Sequence, residues 1–134
     1  MLRPRVLVAD DDADMRRLVS RALRRDGCDV VEVVDGEHLH VALTARILQA
    51  SSPDIDLLVT DVRMPGRSGL EVVEMLRGSA LRVPVIVMTA FGDEETKDRA
   101  RRAGAILFDK PFGLDDLRAA VGVLLRFRAV PTPS

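Results

Sequence analysis

Short runs of Val, Ile and Leu recur along this chain, and four of them end on a polar side chain. Val6-Leu7-Val8-Ala9 leads into Asp10 and Asp11, and Leu57-Leu58-Val59-Thr60 leads into Asp61. Val85-Ile86-Val87-Met88 leads into Thr89, and Ile106-Leu107-Phe108-Asp109 into Lys110 and Pro111. Runs of this length and composition are what a parallel strand buried on both faces requires. In open α/β sheets, ligands bind beyond the carboxyl ends of such strands. If all four runs are parallel strands, three acids, a hydroxyl and an ammonium meet at one edge.

Helical patterns lie between the runs. Asp11 or Asp12 caps a helix to about Arg25, with Met15, Leu18, Val19, Ala22 and Leu23 as its apolar stripe and Gly27 as its stop. Asp29 to Val34 reads as a strand, and Glu37 to about Ala50 as a helix with Leu39, Leu43 and Ile47 on one face. Ser51-Ser52-Pro53-Asp54 breaks the chain before the third strand. A third helix runs from Leu70 to about Gly78, and a very polar fourth from Phe91-Gly92-Asp93 to about Ala103. A fifth carries Leu114, Leu117, Val121, Leu124 and Leu125. The strand–helix unit therefore repeats five times. The expected fold is α/β, a three-layer doubly wound sandwich around a parallel five-stranded sheet of flavodoxin-like order 2-1-3-4-5. That order sets Asp10, Asp11 and Asp61 side by side. Residues 1–127 form one domain, and 128–134, with two prolines, read as a flexible tail or the start of a linker.

Composition narrows the function classes. A net charge of −1 and only four aromatics, all Phe, give no bulk attraction to nucleic acid or anionic membrane and no base-stacking surface. No segment reads as a recognition helix, so this stretch is not expected to bind nucleic acid directly. One cysteine, Cys28, excludes an internal disulfide, and no Cys/His cluster suggests zinc. Without a signal peptide or an apolar span, a cytoplasmic location is expected.

The chemistry follows from the strand ends. Packed carboxylates repel unless a cation joins them. Mg²⁺ accepts oxygen ligands and needs only one or two protein carboxylates, so three acids with a loop carbonyl after Asp61 suit it. Asp61 is then placed as a carboxylate nucleophile toward phosphorus. Lys110 offers a cation for Asp61 and for a phosphoryl oxygen, and Thr89 a hydroxyl for another. Each residue alone has a plainer reading: Asp11 and Asp12 as caps, Asp61 as a turn former, Thr89 as a strand end, Lys110 as a solvated lysine. Together, at consecutive strand ends, those plainer readings require a multiple coincidence.

These stretches resemble the receiver domains of two-component response regulators, over nearly the whole chain from about Arg5 to Arg126. The matching motifs are Val6 to Asp12, Thr60-Asp61-Val62-Arg63-Met64-Pro65-Gly66, Val87-Met88-Thr89-Ala90 and Asp109-Lys110-Pro111-Phe112. The resemblance implies that Asp61 is the phosphoacceptor, served by a histidine kinase, a phosphotransfer protein or a small phosphodonor. It implies that Asp11, Asp61 and the Arg63 main-chain carbonyl ligate Mg²⁺, with Asp10 acting through water. Thr89 and Lys110 take switch and phosphate-sensing roles, and the Lys110–Pro111 bond is cis. The fourth helix, fifth strand and fifth helix are the surface expected to dimerise or to meet an output partner. Such a protein catalyses only its own phosphotransfer and dephosphorylation. The chain departs from the family at Leu107, where Tyr or Phe usually stands three residues before the lysine. Phe108 is adjacent but faces the other way, so the aromatic half of the usual switch lacks its residue.

Two other readings remain. A phosphohydrolase of haloacid-dehalogenase type also uses an aspartyl nucleophile, but places an acid two residues later, where this chain has Arg63. A phosphorylation-independent interaction module is favoured by Leu107 and opposed by the intact Asp10, Asp11 and Asp61. The first helix also carries Arg16, Arg17, Arg21, Arg24 and Arg25, which read as a solvated face covering apolar surface or as a kinase-docking face. His38 and His40 receive no role.

Overall fold

The computed structural model describes residues 3–48, 55–79, 82–90 and 92–127. Strands and helices alternate through it: β1 (Arg5–Ala9), α1 (Ala13–Arg25), β2 (Asp29–Val33), α2 (Gly36–Leu48) and β3 (Leu57–Asp61). Then come α3 (Gly69–Arg77), β4 (Val85–Thr89), α4 (Glu94–Arg102), β5 (Ile106–Asp109) and α5 (Leu114–Phe127). The sheet has the order β2-β1-β3-β4-β5, and its adjacent pairs are parallel. This is the doubly wound flavodoxin-like arrangement that the sequence pattern predicts. The break at 51–54 and the tail at 128–134 lie outside the described residues.

Burial explains the composition of each strand. Every residue of β3 and β4 is buried, because both central strands are covered on two faces. The edge strands β2 and β5 are more exposed and more polar. Alternate side chains feed two cores. Leu7, Leu58, Val85 and Val87 pack with Leu39, Leu43, Val73 and Leu76 of α2 and α3. Val6, Val8, Val59, Ile86 and Met88 pack with Val19 and Leu23 of α1 and Leu117 and Val121 of α5.

Local chemistry sets the helix ends. Asp12 caps α1, its Oδ1 accepting from the Asp14 and Met15 amides, and Gly27 follows the helix at φ 95°. Ser68 caps α3 and Asp93 caps α4. Leu18 departs from the expected apolar stripe: it is 51% exposed, because the buried arc of α1 is centred on Val19, Ala22 and Leu23. In α4 only Ala100 is buried. Ala100 and the C-cap Ala103 seat that helix on the core, and polar ties join it to α3: Arg99 to Glu74, and Arg77 to the Ala103 carbonyl.

Candidate functional site

Asp10 and Asp11 directly follow β1, and Asp61 ends β3 beside it, so strand pairing alone gathers three acids. One carboxylate oxygen from each lies within 4.8 Å of the other two. Asp10 is fully buried, Asp61 is 8% exposed and Asp11 is open to solvent. Lys110, one residue past β5, reaches in from the far side of the sheet. Its Nζ stands 3.2 Å from Asp10 Oδ2 and 3.3 Å from Asp61 Oδ2.

The electrostatics follow from this packing. Burial, and then the Asp10 charge, pushes the Asp61 pKa up to about 6 against the pull of Lys110 and the hydrogen bond from the Val62 amide. Burial works against the Lys110 charge, but Asp61 and Asp10 outweigh it and hold its pKa above the ordinary lysine value. Asp61 is therefore mostly ionised at neutral pH, with a carboxylate more basic than an exposed one.

The surrounding loops hold the acids in place. Asp10 Oδ1 accepts from the Asp12 amide at 3.0 Å. After β3 the chain turns so closely that the Gly69 amide donates to the Val62 carbonyl at 2.8 Å. A Cβ on Gly69 would lie 2.0 Å from the Asp61 carbonyl oxygen, so glycine is required there by space rather than by its φ. Asp11 and Arg63 line one open groove of about 480 Å³ with Met64, Pro65 and Ser68. The convergent donors are all oxygens, which suits a hard divalent cation such as Mg²⁺ and not a soft one.

The other expected residues sit as follows. Thr89 ends β4, buried, and its carbonyl accepts from the Lys110 amide at 2.7 Å; its hydroxyl bonds none of the three aspartates. The Lys110–Pro111 bond is cis. Leu107 packs on the core shared by α2 and α3, whereas Phe108 packs on the opposite core and meets Phe112 edge-on, centroids 5.6 Å apart. The two side chains thus take opposite faces of β5, as the alternation requires.

On sequence Arg16 is one of five arginines on a face that reads as solvated or as kinase-docking, and nothing there singles it out. Its side chain is only 12% exposed. Nη1 donates to the Asp10 carbonyl at 2.9 Å and Nε to Glu32 Oε1 at 3.3 Å, tying the β1–α1 turn to edge strand β2. No spacing rule pairs Arg16 with Glu32; only the β1–β2 register does.

This arrangement is matched by known proteins. A family model described as the response regulator receiver domain matches residues 6–122. The chain belongs to that family. The receiver domain is 33% identical over 129 residues to the transcriptional regulatory protein PdtaR of Mycobacterium tuberculosis, covering 94% of this chain and 59% of PdtaR. It is 35% identical over 130 residues to TcrA of the same organism, covering 96% of this chain and 49% of TcrA. It thus spans about half the length of these curated relatives. Among solved structures, the receiver domain of the Francisella response regulator 1452 superposes with a TM-score of 0.80 at 27% identity, over 92% of this chain and 97% of that one. TrrA of Thermotoga maritima, solved in complex with Mg²⁺-BeF, gives 0.74 at 30% identity over 90% of this chain and 98% of that one. No described helix is long and apolar enough to cross a membrane.

Proposed function

We propose that this receiver domain is the phosphoacceptor module of a two-component response regulator, and that Asp61 is its phosphorylation site. The observation that carries the reading is the position of Lys110 Nζ, within 3.3 Å of both a buried and a nearly buried carboxylate at the edge where β1 and β3 meet. An Asp61 oxygen attacks the phosphorus of a phosphohistidine on a sensor kinase or phosphotransfer protein. A P–O bond forms as the P–N bond breaks, and the imidazole leaves with the electron pair. Lys110 exchanges its contact with Asp61 for one with a phosphoryl oxygen, and the Thr89 hydroxyl takes another. Asp10, Asp11, Asp61 and the Arg63 main-chain carbonyl would hold Mg²⁺, which when bound neutralises phosphoryl charge.

Catalysis is confined to the domain's own phosphotransfer and dephosphorylation. The phosphorylated state shifts the population of the α4–β5–α5 surface, which meets an output domain, a partner or a second copy in the cytoplasm. With Leu107 on β5, that shift runs without a rotating aromatic ring.

The test is intact mass after incubation with acetyl phosphate. The wild type gains one phosphoryl group with Mg²⁺ and none without it, and Asp61→Asn gains none. A folded wild-type protein that gains nothing from acetyl phosphate or from a phosphorylated kinase refutes the reading.

A further inference from the structure

Helix α1 concentrates positive charge in a chain whose net charge is −1: five of its residues are arginines, against one aspartate. Two of the five are engaged. Arg16 holds the Asp10 carbonyl and Glu32, and Arg24 holds Glu32 Oε2 at 3.2 Å and the Val30 carbonyl at 3.1 Å. Arg17, Arg21 and Arg25 are exposed, recur at every fourth position, and have no acceptor among the described residues. The arginines of α4 differ: Arg99, Arg101 and Arg102 each have one. Residues four apart rise about 6 Å along a helix, so the three guanidiniums form one continuous stripe. Like charges at that spacing weaken a helix, a cost that an anion laid along the stripe would relieve.

The stripe is one wall of an open groove of about 460 Å³ beside edge strand β2, lined by Arg17, Arg21, Arg24, Arg25 and Glu32. The groove's chemistry selects its occupant. Among the described residues it has no aromatic ring on which a base could stack and no apolar side chain to seat a peptide's hydrophobic anchor. Guanidinium forks match phosphate oxygens two at a time. Glu32 is the one carboxylate that lines the groove among the described residues, and Arg16 and Arg24 already share it. The groove runs from Arg17 toward the C-terminal end of α1, whereas Asp10 and Asp11 precede its N-terminal end. We propose that the α1–β2 groove binds a short linear oligophosphate through Arg17, Arg21, Arg24 and Arg25, with Glu32 as the internal carboxylate that competes with it.

Calorimetric titration of the full chain with tripolyphosphate, in divalent-free buffer at about 50 mM salt, tests this. Saturable binding is expected that weakens steeply with added salt. The Arg21→Gln/Arg25→Gln double variant loses about tenfold or more in affinity. Glu32→Gln, which removes a competitor, gains about threefold, a change opposite to that from general damage. Asp61→Asn binds as the wild type does, which separates this site from the proposed phosphoacceptor. Absence of binding, an unchanged double variant or a weakened Glu32→Gln would overturn the proposal. So would equal or tighter binding of hexaglutamate or of a single-stranded RNA.

Discussion

Replacing Asp61 with asparagine should make the metal-free domain more stable. The carboxylate pKa is lifted from an ordinary 3.8 to about 6, first by burial and then by Asp10. The folded state therefore holds this proton more tightly than the unfolded chain does. A lift of about two units, at about 1.36 kcal/mol each, means that ionised Asp61 costs the fold about 3 kcal/mol at neutral pH. Asparagine keeps the shape and removes the charge, but turns an amide toward Lys110, so a net gain of about 2 kcal/mol is expected. For a domain of this size that corresponds to a rise in Tm of about 8 °C.

The pH dependence is the decisive part. Above pH 6 the carboxylate is ionised in both states, and the full penalty is present. Between 6 and 3.8 the folded state takes up a proton that the unfolded state does not, so the wild type recovers stability as pH falls. Below 3.8 both states are protonated and the penalty is gone. Urea unfolding of wild type and Asp61→Asn in chelator should show the variant's advantage intact at pH 7.5, shrinking through pH 5, gone at about pH 4.5 and replaced below that by a deficit of up to about 1 kcal/mol, the amide's own cost. An advantage that does not vary with pH, or no advantage at pH 7.5, refutes the argument that burial and Asp10 strain this carboxylate.

The remaining predictions use the same geometry. Lys110→Met strands Asp10 and Asp61 without their cation and should cost about 3 kcal/mol in denaturant unfolding at pH 7.5, with a smaller loss when Asp61→Asn is already present. Gly69→Ala places a methyl group 2.0 Å from the Asp61 carbonyl oxygen and should cost about 3 kcal/mol, read from the urea midpoint at unchanged slope. Ser68→Ala removes the acceptor of the Glu71 amide at the start of α3 and should cost about 1 kcal/mol by the same assay. Mg²⁺ should raise the wild-type Tm in a concentration-dependent way and raise that of Asp11→Asn much less, as thermal scans would register.

The fold was legible because its central strands carry their own signature. Strands buried on both faces cannot alternate polar and apolar residues, so β1, β3 and β4 read as continuous runs of Val, Ile and Leu. The sharp ends of those runs marked where the chain leaves the core, and the doubly wound order did the rest by setting Asp10, Asp11 and Asp61 on adjacent strands. Lys110 was legible for the same reason, as the first residue beyond the fifth strand. What periodicity could not reveal was rotation about a helix axis. A stripe spanning Met15, Leu18, Val19, Ala22 and Leu23 is wider than the sheet can cover, and Leu18 is the residue left outside.

Arg16 illustrates the deeper limit. On sequence it is one of five arginines on a charged helix, and nothing local separates it from Arg17. In the fold its guanidinium reaches across to β2, where Glu32 lies on the α1 side of the edge strand, and grips the Asp10 carbonyl on the way. That contact needs the β1–β2 pairing, which places Val8 opposite Glu32, and the α1 crossover, which places Arg16 above both. Pairing across an edge is decided by tertiary register, so one neighbour becomes a strut of the acidic site while the next stays free at the rim of a basic groove. The difference between Arg16 and Arg17 is one helix position, about 100° of rotation, and that rotation decides which arginine supports Asp10 and which remains available to an anion.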